Sequence, residues 1–268
     1  MPLSQYPQRQ ALHNEIHARP PEAMVAPVAI SHVVMLASPA ERAASREHVA
    51  ELLRNQHLPM PDAATTHVRM DMGQFRLRWE LHTEFVTWTF IRSLDAPPVA
   101  GQLPMTATQV VPQDWLAALP GQCLASMHVW ALSNKANNAE GADELVKQVM
   151  HEDTLVASTV ADGYAEVYTD FAIHADGFSR ILLLTGSIST RRLGRLVQQL
   201  LEIETYRMAA LMGLPAAREA AEVLASAERE LAELAGAIRS AKRDEEPQLL
   251  DRLTRLAGQV ESQHATSH

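Results

Sequence analysis

A chain of 268 residues, 47% of them apolar, can build one large core or two smaller ones. Its formal net charge of −9 excludes the basic face that nucleic-acid binding needs. No apolar run reaches the roughly 18–20 residues of a membrane span, and residues 1–15 are polar where a signal peptide is apolar, so the chain as given reads as soluble, on the cytoplasmic side.

Charge and aromatics divide the chain unevenly. Residues 1–188 hold 12 Lys+Arg against 20 Asp+Glu, and residues 189–268 hold 11 against 12. All the aromatic residues except Tyr206 precede position 189. A sheet core uses aromatics heavily and a helical bundle can do without them. Two regions are therefore expected: an α+β domain over 1–188 and a helical region over 189–268. Cys123 is the only cysteine and lies in an apolar run, which excludes an internal disulfide and predicts a buried thiol.

Residues 24–37 read as a buried strand. Ser38 and Pro39 then start a helix through Arg54, as N-cap and first helical residue. Three strands are expected near 66–71, 75–81 and 86–92. Phe75, Leu77, Trp79 and Leu81 alternate with Arg76, Arg78 and Glu80, while Val86, Trp88 and Phe90 carry the opposite parity, so a turn or bulge must lie within residues 82–85. After a proline-rich connection the order recurs: a strand over 122–132, a helix over 140–150, and strands near 154–160, 164–174 and 178–185. Asp162-Gly163 and Asp176-Gly177 are hairpin signals, because the favoured turn needs positive φ. The expectation is a duplicated strand–helix–three-strand unit with halves at about 24–95 and 120–188.

From Thr190 to Met212 a helix is apolar on nearly every side and is expected to be buried, with Gly213-Leu214-Pro215 ending or kinking it. Ala220, Leu224, Ala227, Leu231, Leu234 and Ile238 follow a heptad seam, and Leu249, Leu253, Leu256 and Val260 resume it after a short polar break. Two such helices should fold back as an antiparallel hairpin, or assemble with a partner or a second copy.

Several strings resemble a known family: LHNEIHARPPE (residues 12–22), FRLRWELHTEF (75–85), DWLAALPGQ (114–122), TDFAIHADGFSR (169–180) and GRLVQQLLEIETYRMAAL (194–211). They are similar to the bacterial domain of unknown function 3422, a family of uncharacterised membrane-anchored proteins. The resemblance implies a C-terminal membrane anchor that these residues do not contain, and it implies no activity, cofactor or catalytic residue.

The densest polar cluster is His13, Glu15, His17 and Arg19. On a helix the two histidines share a face one turn apart, which is zinc-ligand spacing, and His82 or Glu84 can complete the set. The plainer reading is an arm docked through Arg19 to a carboxylate, Glu84 being the expected one. His82/Glu84 and His174/Asp176 occupy corresponding turns and suit acid–base pairing, although turn chemistry alone accounts for Asp, Gly and Thr there. Ser189, Thr190, Arg191 and Arg192 open a helix and can hold an anion. Arginine in a first turn opposes the helix dipole unless an anion or an acidic partner compensates. Dinucleotide, phosphate-loop and nucleophile-elbow signatures are absent. The residues therefore favour a non-enzymatic sensing or scaffolding domain, against a metal- or ligand-binding enzyme sited at the N-terminal cluster; neither cofactor nor metal is specified.

Overall fold

Eight strands form one mixed sheet in the order β2-β3-β4-β1-β5-β8-β7-β6. The computed structural model describes residues 6–7, 9, 20–96, 98, 102–133 and 139–266. The strands are β1 Val28–Leu36, β2 His67–Asp71, β3 Arg76–Leu81, β4 Phe85–Ser93, β5 Gln122–Ser133, β6 Val156–Val160, β7 Ala165–Thr169 and β8 Ser179–Thr185. The helices are α1 Pro39–Asn55, a short α2 Gln113–Ala117, α3 Ala139–Val149, α4 Thr190–Leu211, α5 Leu214–Ser240 and α6 Glu246–Thr266. The chain divides into two compact units, residues 1–205 and 206–268. The fold is mixed α+β with helices at the C-terminal end.

Local chemistry explains several element ends. Ser38 caps α1 in a reciprocal capping box with Glu41, and Pro39 sits in the first turn. The turn between β3 and β4 falls at residues 82–85, where His82 N–H donates to the Phe85 carbonyl, and it reverses the strand parity as expected. Asp162 and Gly163 both take positive φ between β6 and β7.

The two halves share element order and mirror each other in strand order, yet they are not one repeated unit. β1 runs antiparallel to β4, whereas β5 runs parallel to β8. In the second half α3 carries the chain from one end of the sheet to the other, so β5 and β6 point the same way. In the first half residues 56–66 bring the chain back after α1, so β1 and β2 point oppositely. Strand–helix–strand periodicity is identical for both routes, which is why the sequence suggests a duplication. Two smaller corrections follow. β7 ends at Thr169, so Asp176-Gly177 closes a longer loop over residues 170–178 and not a tight hairpin. Leu124 is an extra residue in β5, opposite the step from Val34 to Met35 of β1, and beyond this bulge Cys123 is exposed.

Both faces of the central strands are apolar and both are covered. On one face α1 (Val49, Leu52, Leu53), Trp115 and Val111 pack on Trp79, Trp88 and Phe90, while α3 (Leu145, Val146, Val149) packs on Trp130, Leu182 and Leu184. On the other face α4 sets Leu193, Leu196, Val197 and Leu201 against Ile30, Val129, Ile181 and Leu183. Each such side chain is worth about 1.5–3 kcal/mol on burial. The helix is less buried than its composition suggests, since Ile203 and Leu211 are exposed. Gly194 lets residues 22–24 lie against α4: a Cβ there would stand 1.7 Å from the Glu22 carbonyl oxygen. Met24 N–H donates to the Thr190 carbonyl at 3.0 Å. In the second unit α5 and α6 pack together through Ala227, Leu234 and Leu256, with Arg252 placed 3.6 Å from Glu230 and 3.9 Å from Glu233.

Two outcomes are expected. A chain ending after Ser187 uncovers the α4 face of the sheet and aggregates, whereas one ending after Leu211 retains that cover and stays dispersed in light scattering. Gly194→Ala displaces the segment over residues 22–24, measured as faster amide exchange at Met24 with the exchange of β3–β4 amides unchanged.

Candidate functional site

Residues 11–19 lie outside the described residues, and with them His13, Glu15, His17 and Arg19. The chain that follows them is tied to the polar edge of the α4 face. Arg69 donates to the Pro20 carbonyl at 2.7 Å, and Arg76 pairs with Glu22. These contacts lie on β2 and β3. The expected anchor Glu84 is exposed in its turn, and its backbone carbonyl accepts from Ala37 N–H. His82 lies against the Phe85 ring, with centroids 4.4 Å apart, and its Nε2 stands 3.5 Å from Thr87 Oγ1. His82 thus meets Phe85 and Thr87 of its own hairpin, while the Glu84 carbonyl meets Ala37.

The arginines of β2 and β3 are more buried than an alternating edge strand requires. Arg78 and Glu80, at 8% and 5% exposure, form an ion pair at 2.7 Å. Arg69 faces Arg78 across the strands, and burial followed by that like charge holds its pKa below the ordinary arginine value. Beside them His32 of β1 is fixed between sheet and helix. Thr205 donates its hydroxyl hydrogen to the Leu201 carbonyl (2.8 Å), so it accepts from His32 Nε2 at 3.3 Å; Thr89 Oγ1 lies 2.8 Å from Nδ1. Burial, reinforced by Arg78, pushes the His32 pKa down to about 3.

A second cluster forms where α3 ends against the loop over residues 170–178. The Asp170 side chain is fully buried. Its Oδ2 accepts from His151 N–H at 2.8 Å and its Oδ1 from Ala172 N–H at 3.1 Å. His174 Nε2 lies 2.9 Å from Oδ2, and His151 Nδ1 lies 3.6 Å from the same oxygen. The two rings stack with centroids 4.3 Å apart. Burial opposes ionisation of Asp170, but the two backbone N–H groups and His174 outweigh it and hold the pKa below the usual carboxylate value. His174 is thus partnered by Asp170 and not by Asp176. Asp176 accepts from Phe178 N–H, lies 3.5 Å from Arg180 and 3.8 Å from His128 Nε2. His128 is buried, stacks on Phe178 at 4.0 Å and has Ser31 Oγ 2.8 Å from Nδ1. Burial and, less strongly, Arg180 push its pKa down to about 4 against the pull of Asp176.

The loop–helix junction at Ser189 and Thr190 finds its charge partner within the chain. Arg192 pairs with Asp162 and lies 5.2 Å over the Tyr164 ring, while Arg191 is exposed. The acidic partner that a first-turn arginine calls for is therefore Asp162. Sequence reasoning missed His151, Asp170, His128 and His32. The one available signal was Asp170 and His174 four residues apart in a polar string; His151 is too distant in sequence to be linked to them.

Residues 4–268 match a protein family described as a protein of unknown function, DUF3422. No curated protein and no solved structure matches the chain.

The two buried neutral histidines generate a pH dependence. Their folded pKa values of about 3 and about 4 lie below an unfolded value near 6.5. The stability they confer is full above pH ~6.5 and is lost as pH falls toward the folded values, because the unfolded chain takes up the protons. At pH ~5 each costs about 2 kcal/mol relative to neutrality. Urea unfolding at the two pH values should show the loss, and His32→Gln should remove about half of it; equal stability at both would contradict burial of the neutral forms.

Proposed function

The chain belongs to the DUF3422 family, and we propose that it is a non-enzymatic scaffolding or sensing module that works through self-association of its helical hairpin. The observation that carries this reading is a stripe. Leu224, Leu231 and Ile238 recur at every seventh residue of α5 and are 48%, 50% and 54% exposed. Leu250 and Leu253 of α6 are exposed as well. Inside the hairpin, by contrast, the buried apolar residues among those described are Ala227, Leu234 and Leu256. So few contacts make a two-helix unit marginal on its own.

A seven-residue apolar repeat is best covered by a helix bearing the same repeat, and a second copy of this hairpin supplies one. Charge does not oppose the pairing: residues 214–266 interleave 7 basic with 10 acidic side chains, so each copy offers both signs to the other. We place the module at the cytoplasmic face of a membrane on the strength of its resemblance to membrane-anchored proteins. No helix among the described residues is long and apolar enough to cross one.

A second reading, a ligand- or metal-binding enzyme sited at His13, Glu15, His17, Arg19, His82 and Glu84, is favoured by one feature. The contacts of Pro20 and Glu22 to Arg69 and Arg76 tie the chain beside that cluster to a charged face. Elemental analysis of the natively purified protein beside its His13→Ala, His17→Ala variant separates this reading from the first, since metal lost with those two histidines supports it and metal that is absent or unchanged in the variant does not.

Sedimentation equilibrium should return a dimer, and the double variant Leu224→Glu, Leu231→Glu should dissociate about a hundredfold more readily with unchanged circular dichroism. A wild-type chain that remains monomeric at high micromolar concentration would remove the scaffold reading.

A further inference from the structure

We propose that His151, Asp170 and His174 hold one divalent transition-metal ion between the end of α3 and the β7–β8 loop. Their ligand atoms all lie within 4.8 Å of one another. Around a tetrahedral ion with bonds of about 2.0–2.1 Å, neighbouring ligand atoms stand about 3.3 Å apart. The separations from Asp170 Oδ2, 2.9 Å to His174 Nε2 and 3.6 Å to His151 Nδ1, bracket that figure. Those two separations need change by only a few tenths of an ångström to admit an ion, and the third, between the two ring nitrogens, is within 4.8 Å.

The chemistry of the three groups is that of a metal site. Two imidazoles and one carboxylate form a borderline N₂O donor set that suits Zn²⁺, Fe²⁺ or Co²⁺ over Ca²⁺ or Mg²⁺, which prefer all-oxygen shells. The backbone N–H groups of His151 and Ala172 fix the orientation of the Asp170 carboxylate, the kind of support that positions a ligating group. The plainer account is a structural His174–Asp170 hydrogen bond. That account explains one ring, since a buried carboxylate with two backbone donors and one imidazole is already satisfied. It leaves unexplained why His151, with 59% of its side chain exposed, turns Nδ1 toward the same oxygen. Two rings converging on one carboxylate oxygen, one buried and one open to solvent, define three ligands. Glu152 and Asp153, exposed beside His151, add negative potential at that opening.

The ion would act as a clamp. His151 follows α3, whereas Asp170 and His174 precede β8, so one ion fastens the crossover helix to the strand pair it serves. This site is separate from the hairpin surface, and either proposal can fail alone.

The test uses the full chain, stripped with chelator and titrated with Co²⁺ and Zn²⁺. The expected result is one Co²⁺ per chain with the visible d–d bands of mixed N/O coordination, displaced by Zn²⁺, and a higher melting temperature on loading. His151→Ala, a change at an exposed ring, should weaken Co²⁺ binding about tenfold or more while the metal-free protein melts as wild type does. His174→Ala should do the same to binding at some cost in stability, and His57→Ala, at an exposed histidine outside the cluster, should leave binding unchanged. Absence of the Co²⁺ bands in wild type, or bands that persist undiminished in both His151→Ala and His174→Ala, overturns the proposal.

Discussion

An eight-stranded sheet whose central strands are apolar on both faces must be covered on both, and this requirement organises the first unit. Helices α1 and α3 cover one face. The other depends on the first turns of α4, and everything near that helix is shaped to let it sit down. Gly194 clears room for the backbone of residues 22–24. His32, the buried polar side chain on that face of β1, meets Thr205 and not an apolar residue. The charged ends of β2 and β3 remain beside the helix, paired internally and to Glu22. A buried ion pair of this kind adds little net stability, but removing one partner would strand the other charge.

Strand direction is the second determinant. Because β5 and β8 run parallel, their helix must cross the sheet from end to end, and it delivers His151 to the loop that carries Asp170 and His174. The first half, with the same element order, sends its chain back through residues 56–66 and builds no matching cluster there among the described residues. The corresponding turns of the two halves thus differ in chemistry because the routes that lead to them differ.

Much of this was legible in the residues and some was not. The N-cap at Ser38, the turn at residues 82–85 and the Asp162-Gly163 turn follow from local rules, and all three stand where those rules put them. Pairing direction does not follow, since a buried strand has the same pattern whether its neighbour is parallel or antiparallel. The exposure of Cys123 depends on a single inserted residue, Leu124, which periodicity cannot reveal in a run that is apolar throughout. His174 was paired in the sequence with Asp176, its nearer neighbour along the chain, whereas Asp170 is the carboxylate it meets in space. In the hairpin, the heptad seam marks both the buried Ala227 and Leu234 and the exposed Leu224 and Leu231, and only the packed helices show which set α6 takes.

The parallel β5–β8 pairing supports both the crossover and the His151–Asp170–His174 cluster, and nuclear Overhauser contacts across that pair test it most directly. Facing residues of antiparallel strands alternate between wide and close approach, and the close pairs bring their Hα atoms together; parallel strands never do so. Strong Hα–Hα contacts should therefore link β1 to β5 and β7 to β8, while Val129 and Ala131 reach Ile181 and Leu183 only through Hα–amide contacts. A strong Hα–Hα contact between β5 and β8 would mean an antiparallel pair, and with it a second half built like the first.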